Sequence, residues 1–181
     1  MKRSIVILLV CVVQVVCGQA KYFTKTGTVQ FFAGTAVEDI DAINKSLTSV
    51  FEISSGRIEF AALIKGFEFK RGLMQEHFNE NYLESDKYPK AVFKGTCADL
   101  SKIDFKKDGT YPVAVVGTLE IHGVSKEVGV PGEIKIEKGI VSSHATFKVL
   151  LKDYKVEIPG AVKDKISSVV EIKINCVYKG L

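Results

Sequence analysis

Apolar and polar side chains alternate along most of this chain. Ile58, Phe60, Ala62 and Ile64 share one parity. Val113, Val115, Gly117, Leu119 and Ile121 form a second such run, Ala145, Phe147, Val149 and Leu151 a third, and Val170, Ile172, Ile174, Cys176 and Tyr178 a fourth. Glu59, Thr118, Glu120, Thr146, Lys148, Glu171, Lys173 and Asn175 occupy the positions between them. Successive side chains of a strand point to opposite faces, so each run predicts a ribbon with one dry and one wet face. Ser54-Ser55-Gly56, Asp108-Gly109, Pro131-Gly132, Lys138-Gly139 and Pro159-Gly160 punctuate the runs. These residues favour tight turns, which predicts about eight strands joined as antiparallel hairpins.

Two segments depart from this period. Thr35-Ala36-Val37-Glu38 has capping-box spacing, and Asp39 to Asn44 after it is expected to form one or two helical turns. From Phe67 to about Asn79, Phe69, Leu73 and His77 recur at intervals of four with Met74 and Phe78 beside them, which predicts a short helix on or across the sheet. The stretch from Ser46 to Ile53 has no assignable inner face, because Val50 and Phe51 are adjacent.

Eight strands with one apolar face must hide that face, by packing on a second sheet or by closing into a barrel. The runs from Thr110 to His122 and from Ile166 to Tyr178 are long for a small sandwich and suit tilted barrel strands, so an all-β antiparallel barrel is expected. At this strand number the interior is filled by side chains or holds one slender ligand. Ala62, Ala91, Gly95, Gly117 and Ala145 leave room on the dry parity, while Phe60, Phe93 and Phe147 could fill it. Alternation alone leaves both outcomes open.

The 181 residues are 46% hydrophobic and 25% charged, the composition of one globular domain. The formal charge of +4 is scattered along the chain, which argues against nucleic-acid binding. Lys2 and Arg3 precede an unbroken apolar run from Ile5 to Val13, and Val16 and Gly18 lead to Gln19, the layout of a secretory signal over residues 1–18. One domain over 19–181, exported to the periplasm or secreted, is therefore expected. Lipidation at Cys17 is disfavoured by the bulky Val16 before it. Cys97 and Cys176 lie on apolar parities and are expected as two buried thiols rather than a bridge.

Two longer motifs carry a resemblance. Leu73-Met74-Gln75-Glu76-His77-Phe78-Asn79-Glu80-Asn81-Tyr82, continued by Glu84-Ser85-Asp86-Lys87-Tyr88-Pro89-Lys90-Ala91-Val92-Phe93-Lys94-Gly95, resembles the central signature of the YceI-like family of secreted proteins. Gly117-Thr118-Leu119-Glu120-Ile121-His122-Gly123-Val124-Ser125-Lys126 resembles its second signature. The resemblance implies a lipocalin-like antiparallel eight-stranded β-barrel with one or two short helices, hollow, enclosing the tail of an isoprenoid lipid or quinone. The His-rich first strand and Gly-x-Phe turn of many members are replaced here by Gly27-Thr28-Val29-Gln30-Phe31-Phe32-Ala33-Gly34.

Alternation and resemblance together place Phe60, Ala62, Ile64, Phe93, Val115, Leu119, Phe147, Ile172 and Ile174 along a tail pocket, with His77, Phe78 and Tyr82 at its mouth. The expected partner is an apolar isoprenoid lipid, with transient membrane contact, no nucleic acid and no cofactor beyond the bound lipid or quinone. Nothing in the sequence sets the oligomeric state. His77 with Glu76, Glu80, Glu84 and Asp86 is the densest polar cluster. It reads as a metal shell, an acid-base pair or a mouth contact on one side, and as a solvated helix face followed by a turn on the other. His122-Gly123 with Ser125 and Lys126 reads as a hairpin turn rather than a nucleophilic site. His144 is on the wet parity. No residue is assigned a catalytic or metal-ligating role, and no Gly-x-Ser-x-Gly elbow or phosphate loop occurs. The alternative to a carrier is a solid barrel acting as a structural or stress-associated interaction module.

Overall fold

The computed structural model describes residues 21–98 and 100–180; the expected signal segment and Cys17 lie outside the described residues. Its strands are β1 (Lys21–Phe32), β2 (Asp41–Glu52), β3 (Arg57–Leu63), β4 (Glu68–Phe69), β5 (Lys90–Cys97), β6 (Gly109–Ile121), β7 (Val124–Glu137), β8 (Ile140–Leu150), β9 (Val169–Val177) and β10 (Lys179–Gly180). All pair antiparallel, and β1 bonds both to β2 and to β9. The eight long strands thus close on themselves in the order β1-β2-β3-β5-β6-β7-β8-β9, with the two-residue β4 and β10 appended to β2 and β1. Closure gives every long strand a paired neighbour on both sides and gives the dry faces a shared interior.

Burial follows the predicted parity. On β6, Tyr111, Val113, Val115, Leu119 and Ile121 turn inward, and Val116 between them is 52% exposed. The unassigned stretch is resolved by two bulges. β1 carries an extra residue between Thr24 and Gly27, and β2 carries one between Leu47 and Asn44. The second bulge switches parity, so Ala42 and Asn44 point inward before it and Leu47, Ser49 and Phe51 after it. Asn44 is fully buried and its side chain is satisfied there. Its Nδ2 donates to the Leu63 carbonyl at 2.9 Å, and its Oδ1 accepts from the Ser46 N–H at 2.8 Å.

Several expectations are corrected. Asp39 to Asn44 is not helical, because Asp41 opens β2 and Ala42 is buried in the core. The Thr35 N–H instead donates to the Glu38 carbonyl at 2.9 Å, while its hydroxyl accepts from the Val37 N–H at 3.2 Å, which closes a turn. Pro131-Gly132 is not a hairpin. Both residues lie inside β7, opposite Ala114 and Val113 of β6. β8 pairs with β7 only from Gly132 onward, so Pro131 stands where that second ladder ends and a missing donor is tolerated. Pro159-Gly160 lies within the long β8–β9 connection rather than in a hairpin.

The predicted helix is shorter and later than its spacing implied. α1 spans Gly72–His77 and continues as a π turn over Phe78–Tyr82. Phe67 is buried ahead of it, Phe69 belongs to β4, and Leu73 is 62% exposed, so Phe69, Leu73 and His77 do not share one buried helical stripe. The helix lies in the β3–β5 connection at the barrel end that also carries the β1–β2 and β8–β9 connections. His122-Gly123 forms the β6–β7 hairpin at this same end, with φ of 53° and 69°, the left-handed pair that a two-residue turn needs. Both described chain ends lie at the opposite end, where Tyr22 faces Gly180.

Candidate functional site

An apolar cavity of about 500 Å³ runs inside the barrel. That is within the ordinary range for a small-ligand site. Its wall includes each of the nine residues assigned from the sequence to the tail pocket: Phe60, Ala62 and Ile64 on and just after β3, Phe93 on β5, Val115 and Leu119 on β6, Phe147 on β8, and Ile172 and Ile174 on β9. Ala62, Ile64, Phe93 and Leu119 are buried from outside, whereas the others are half-buried. His77, Phe78 and Tyr82 border the cavity at the helix-bearing end, so the geometry brings all twelve residues to one space.

Four phenylalanines narrow that end. Phe78 stacks on Phe31 at 5.4 Å between centroids and meets Phe67 and Phe69 at 5.6 and 5.0 Å. Phe31 reaches Phe67 and Phe69 at 5.4 and 5.8 Å. Phe31, Phe67 and Phe69 were not assigned from the sequence. Phe31 was within reach, since it shares inward parity with Val29 and Ala33. Phe67 and Phe69 were obscured by placement on a helix.

Beside this cluster, three connections meet on one carboxylate. Arg71, ahead of α1, places Nη1 2.6 Å from Oε1 of Glu38 in the β1–β2 connection. Lys165, in the β8–β9 connection, places Nζ 3.7 Å from Oε2 of the same residue. The Thr35 hydroxyl donates to the Asp164 carbonyl at 2.8 Å, and the Ser167 N–H donates to the Ala33 carbonyl at 2.8 Å, so the two long connections are stitched together. Glu38, Arg71 and Lys165 all border the cavity. These three residues are far apart in sequence and share no motif, and only the folded loops unite them.

The opposite end is packed with aromatic side chains. Phe51 packs against Phe105 and Tyr178 at 6.4 and 6.2 Å, and Phe105 also stacks with Tyr22. The Tyr178 hydroxyl lies 3.1 Å from both the Ser49 and the Ser143 hydroxyls. Burial raises the Tyr178 pKa, and it pushes the neighbouring Cys176 thiol up to about 12. Cys97 and Cys176 are both buried and are not bridged to each other, two thiols as expected.

The polar cluster around His77 disperses on folding. Glu84 turns to His122, with Oε2 2.7 Å from Nε2, and Asp86 pairs with Lys65 at 2.6 Å. The other His122 nitrogen lies 3.2 Å from the Tyr154 carbonyl, and its ring meets Tyr88 edge-on at 4.7 Å. His122 therefore pins the helix connection and the β8–β9 connection to the β6–β7 hairpin. His144 lies on the outer face 2.7 Å from Asn175 Oδ1 across the β8–β9 pair. Among the described residues, no three His, Cys, Asp or Glu side chains gather closely enough to hold a metal ion.

The comparisons agree with this architecture. A family model described as YceI-like domain matches residues 12–178. Among solved structures, a polyisoprenoid binding domain from Saccharophagus degradans implicated in plant cell wall breakdown superposes with a TM-score of 0.76 at 13% identity, covering 91% of this chain and 100% of that one. BcnA of Burkholderia cenocepacia gives 0.71 at 14% identity, covering 84% and 96%. The YCEI protein of Campylobacter jejuni gives 0.52 at 18% identity, covering 75% and 83%. Curated proteins provide no match. At these identities the solved structures establish a shared fold.

Proposed function

The chain belongs to the YceI-like domain family, and from that membership we propose that its barrel binds the tail of a long isoprenoid lipid or quinone, without catalysis, to carry or store it. The supporting observation is the cavity of about 500 Å³, walled by inward-facing side chains from strands all around the barrel and bordered by the mouth loops. A similar barrel in the Saccharophagus degradans structure is described as polyisoprenoid binding, which favours the same ligand class here.

The energetics suit a tail-driven site. Each buried methylene contributes about 0.8 kcal/mol, so a few isoprene units outweigh the cost of association and ordering. Tail length would then dominate affinity, and head groups would tune it. Export to the periplasm or outside the cell, and transient contact with a membrane during loading, belong to the same proposal. No residue is assigned a catalytic role in it.

Native mass spectrometry of freshly purified protein tests the reading. A carrier retains an added mass that organic solvent removes, and the extract identifies an isoprenoid. A chain that stays free of lipid when offered a long prenol or prenyl quinone would refute it.

A further inference from the structure

Resting on that reading of the tail site, we propose that the mouth selects isoprenoids ending in an anionic, phosphate-type head over neutral prenols. Glu38 holds Arg71 at 2.6 Å and Lys165 at 3.7 Å. The carboxylate side chain is 18% exposed, whereas those of Arg71 and Lys165 are 69% and 50% exposed, so the anion lies deeper and both cations present themselves at the rim. All three border the cavity where its apolar wall ends.

Two cations on one carboxylate leave a single positive charge uncompensated within this group. The nearby acids Asp39 and Asp41 do not border the cavity and turn instead to Lys70, at 3.2 and 2.9 Å. Lys163 and Asp164, the exposed neighbours of Lys165, offset each other in charge. Through Nη1 the guanidinium of Arg71 reaches Glu38, and its rigid fork carries further donors suited to a phosphate. A lipid whose tail fills the cavity would bring its head to this rim. There a phosphate can accept charge-assisted bonds from Arg71 and Lys165, while an alcohol offers only a neutral partner. Because both cations are well exposed, the attraction should weaken with salt.

The test compares geranylgeranyl monophosphate with geranylgeraniol, titrated into the full chain at low and high ionic strength. Both should bind, the phosphate tighter by roughly tenfold at low salt, a modest step for two charge-assisted contacts at an exposed site. Arg71→Ala and Lys165→Ala should each shrink that ratio by weakening the phosphate more than the prenol, and Glu38→Gln should widen it. Equal affinities in the unsubstituted chain overturn the head-group proposal and leave the tail reading standing. A ratio indifferent to salt and to both substitutions also overturns it. Failure of both compounds to bind overturns both readings, and binding of the prenol alone overturns the head-group proposal.

Discussion

The ring of Phe93 lies over Gly95, two residues further along β5. A Cβ built on Gly95 would stand 2.6 Å from the ring's Cζ and 2.7 Å from the Val116 carbonyl oxygen. The small residue does not simply leave empty space, because an aromatic side chain from its own strand occupies part of it, and the tunnel continues past that ring. Gly95→Ala should therefore push Phe93 toward the cavity and strain the β5–β6 ladder. The expected cost is about 1–3 kcal/mol of stability, as for other overpacked cores. Lipid capacity should fall with it, and denaturant titration alongside a lipid-loading assay measures both.

Blocking the tunnel should separate folding from binding. Ala62 and Ala145 face the cavity from β3 and β8, on opposite arcs of the barrel. Ala62→Trp or Ala145→Trp should abolish lipid uptake while the circular dichroism of the barrel persists. Full uptake by the folded variants would remove these residues from the wall of the binding site.

Phe78 joins Phe31, Phe67 and Phe69 in one aromatic cluster. Phe78→Ala should cost about 1–3 kcal/mol, less than a fully buried phenylalanine, because Phe78 is only half-buried. It should also speed ligand exchange, read as a faster off-rate for a fluorescent prenyl probe. An unchanged off-rate would show that the cluster does not limit passage.

Burial holds the Cys176 thiol neutral, with its pKa pushed up to about 12. In the unfolded chain the same thiol ionises in its ordinary range. The associated stability is therefore whole below that range and is lost as pH rises through it toward about 12. Thiolate-selective reagents at mildly alkaline pH should leave Cys176 unmodified in the native chain and label it once denatured. Labelling at equal rates in both states would contradict the burial of Cys176.

Strand parity carried most of the fold. Val113 to Ile121 and Ala145 to Val149 could be placed facing inward because a two-residue period leaves little choice once one face is dry. The same rule lost its grip in β2, where the extra residue near Ser46 exchanges the two faces, and bulges have no strong sequence mark. Pro131 misled because proline usually ends a strand, and its tolerance depends on where β8 stops pairing, a tertiary matter. That Phe60, Ala62 and Leu119 would face the barrel interior was legible for the reason the strands were. The charged rim was not, because Glu38, Arg71 and Lys165 meet only through the packing of three connections.

The pairing of β1 with β10 sets Tyr22 beside Gly180 at the barrel end opposite the helix-bearing loops. A linker attached at Lys21 or Lys179 would therefore hang from the base of the vessel and leave its opening clear. Protein tethered to a bead or sensor surface through a cysteine placed at Lys21 or Lys179 should charge and discharge with lipid as freely as protein in solution.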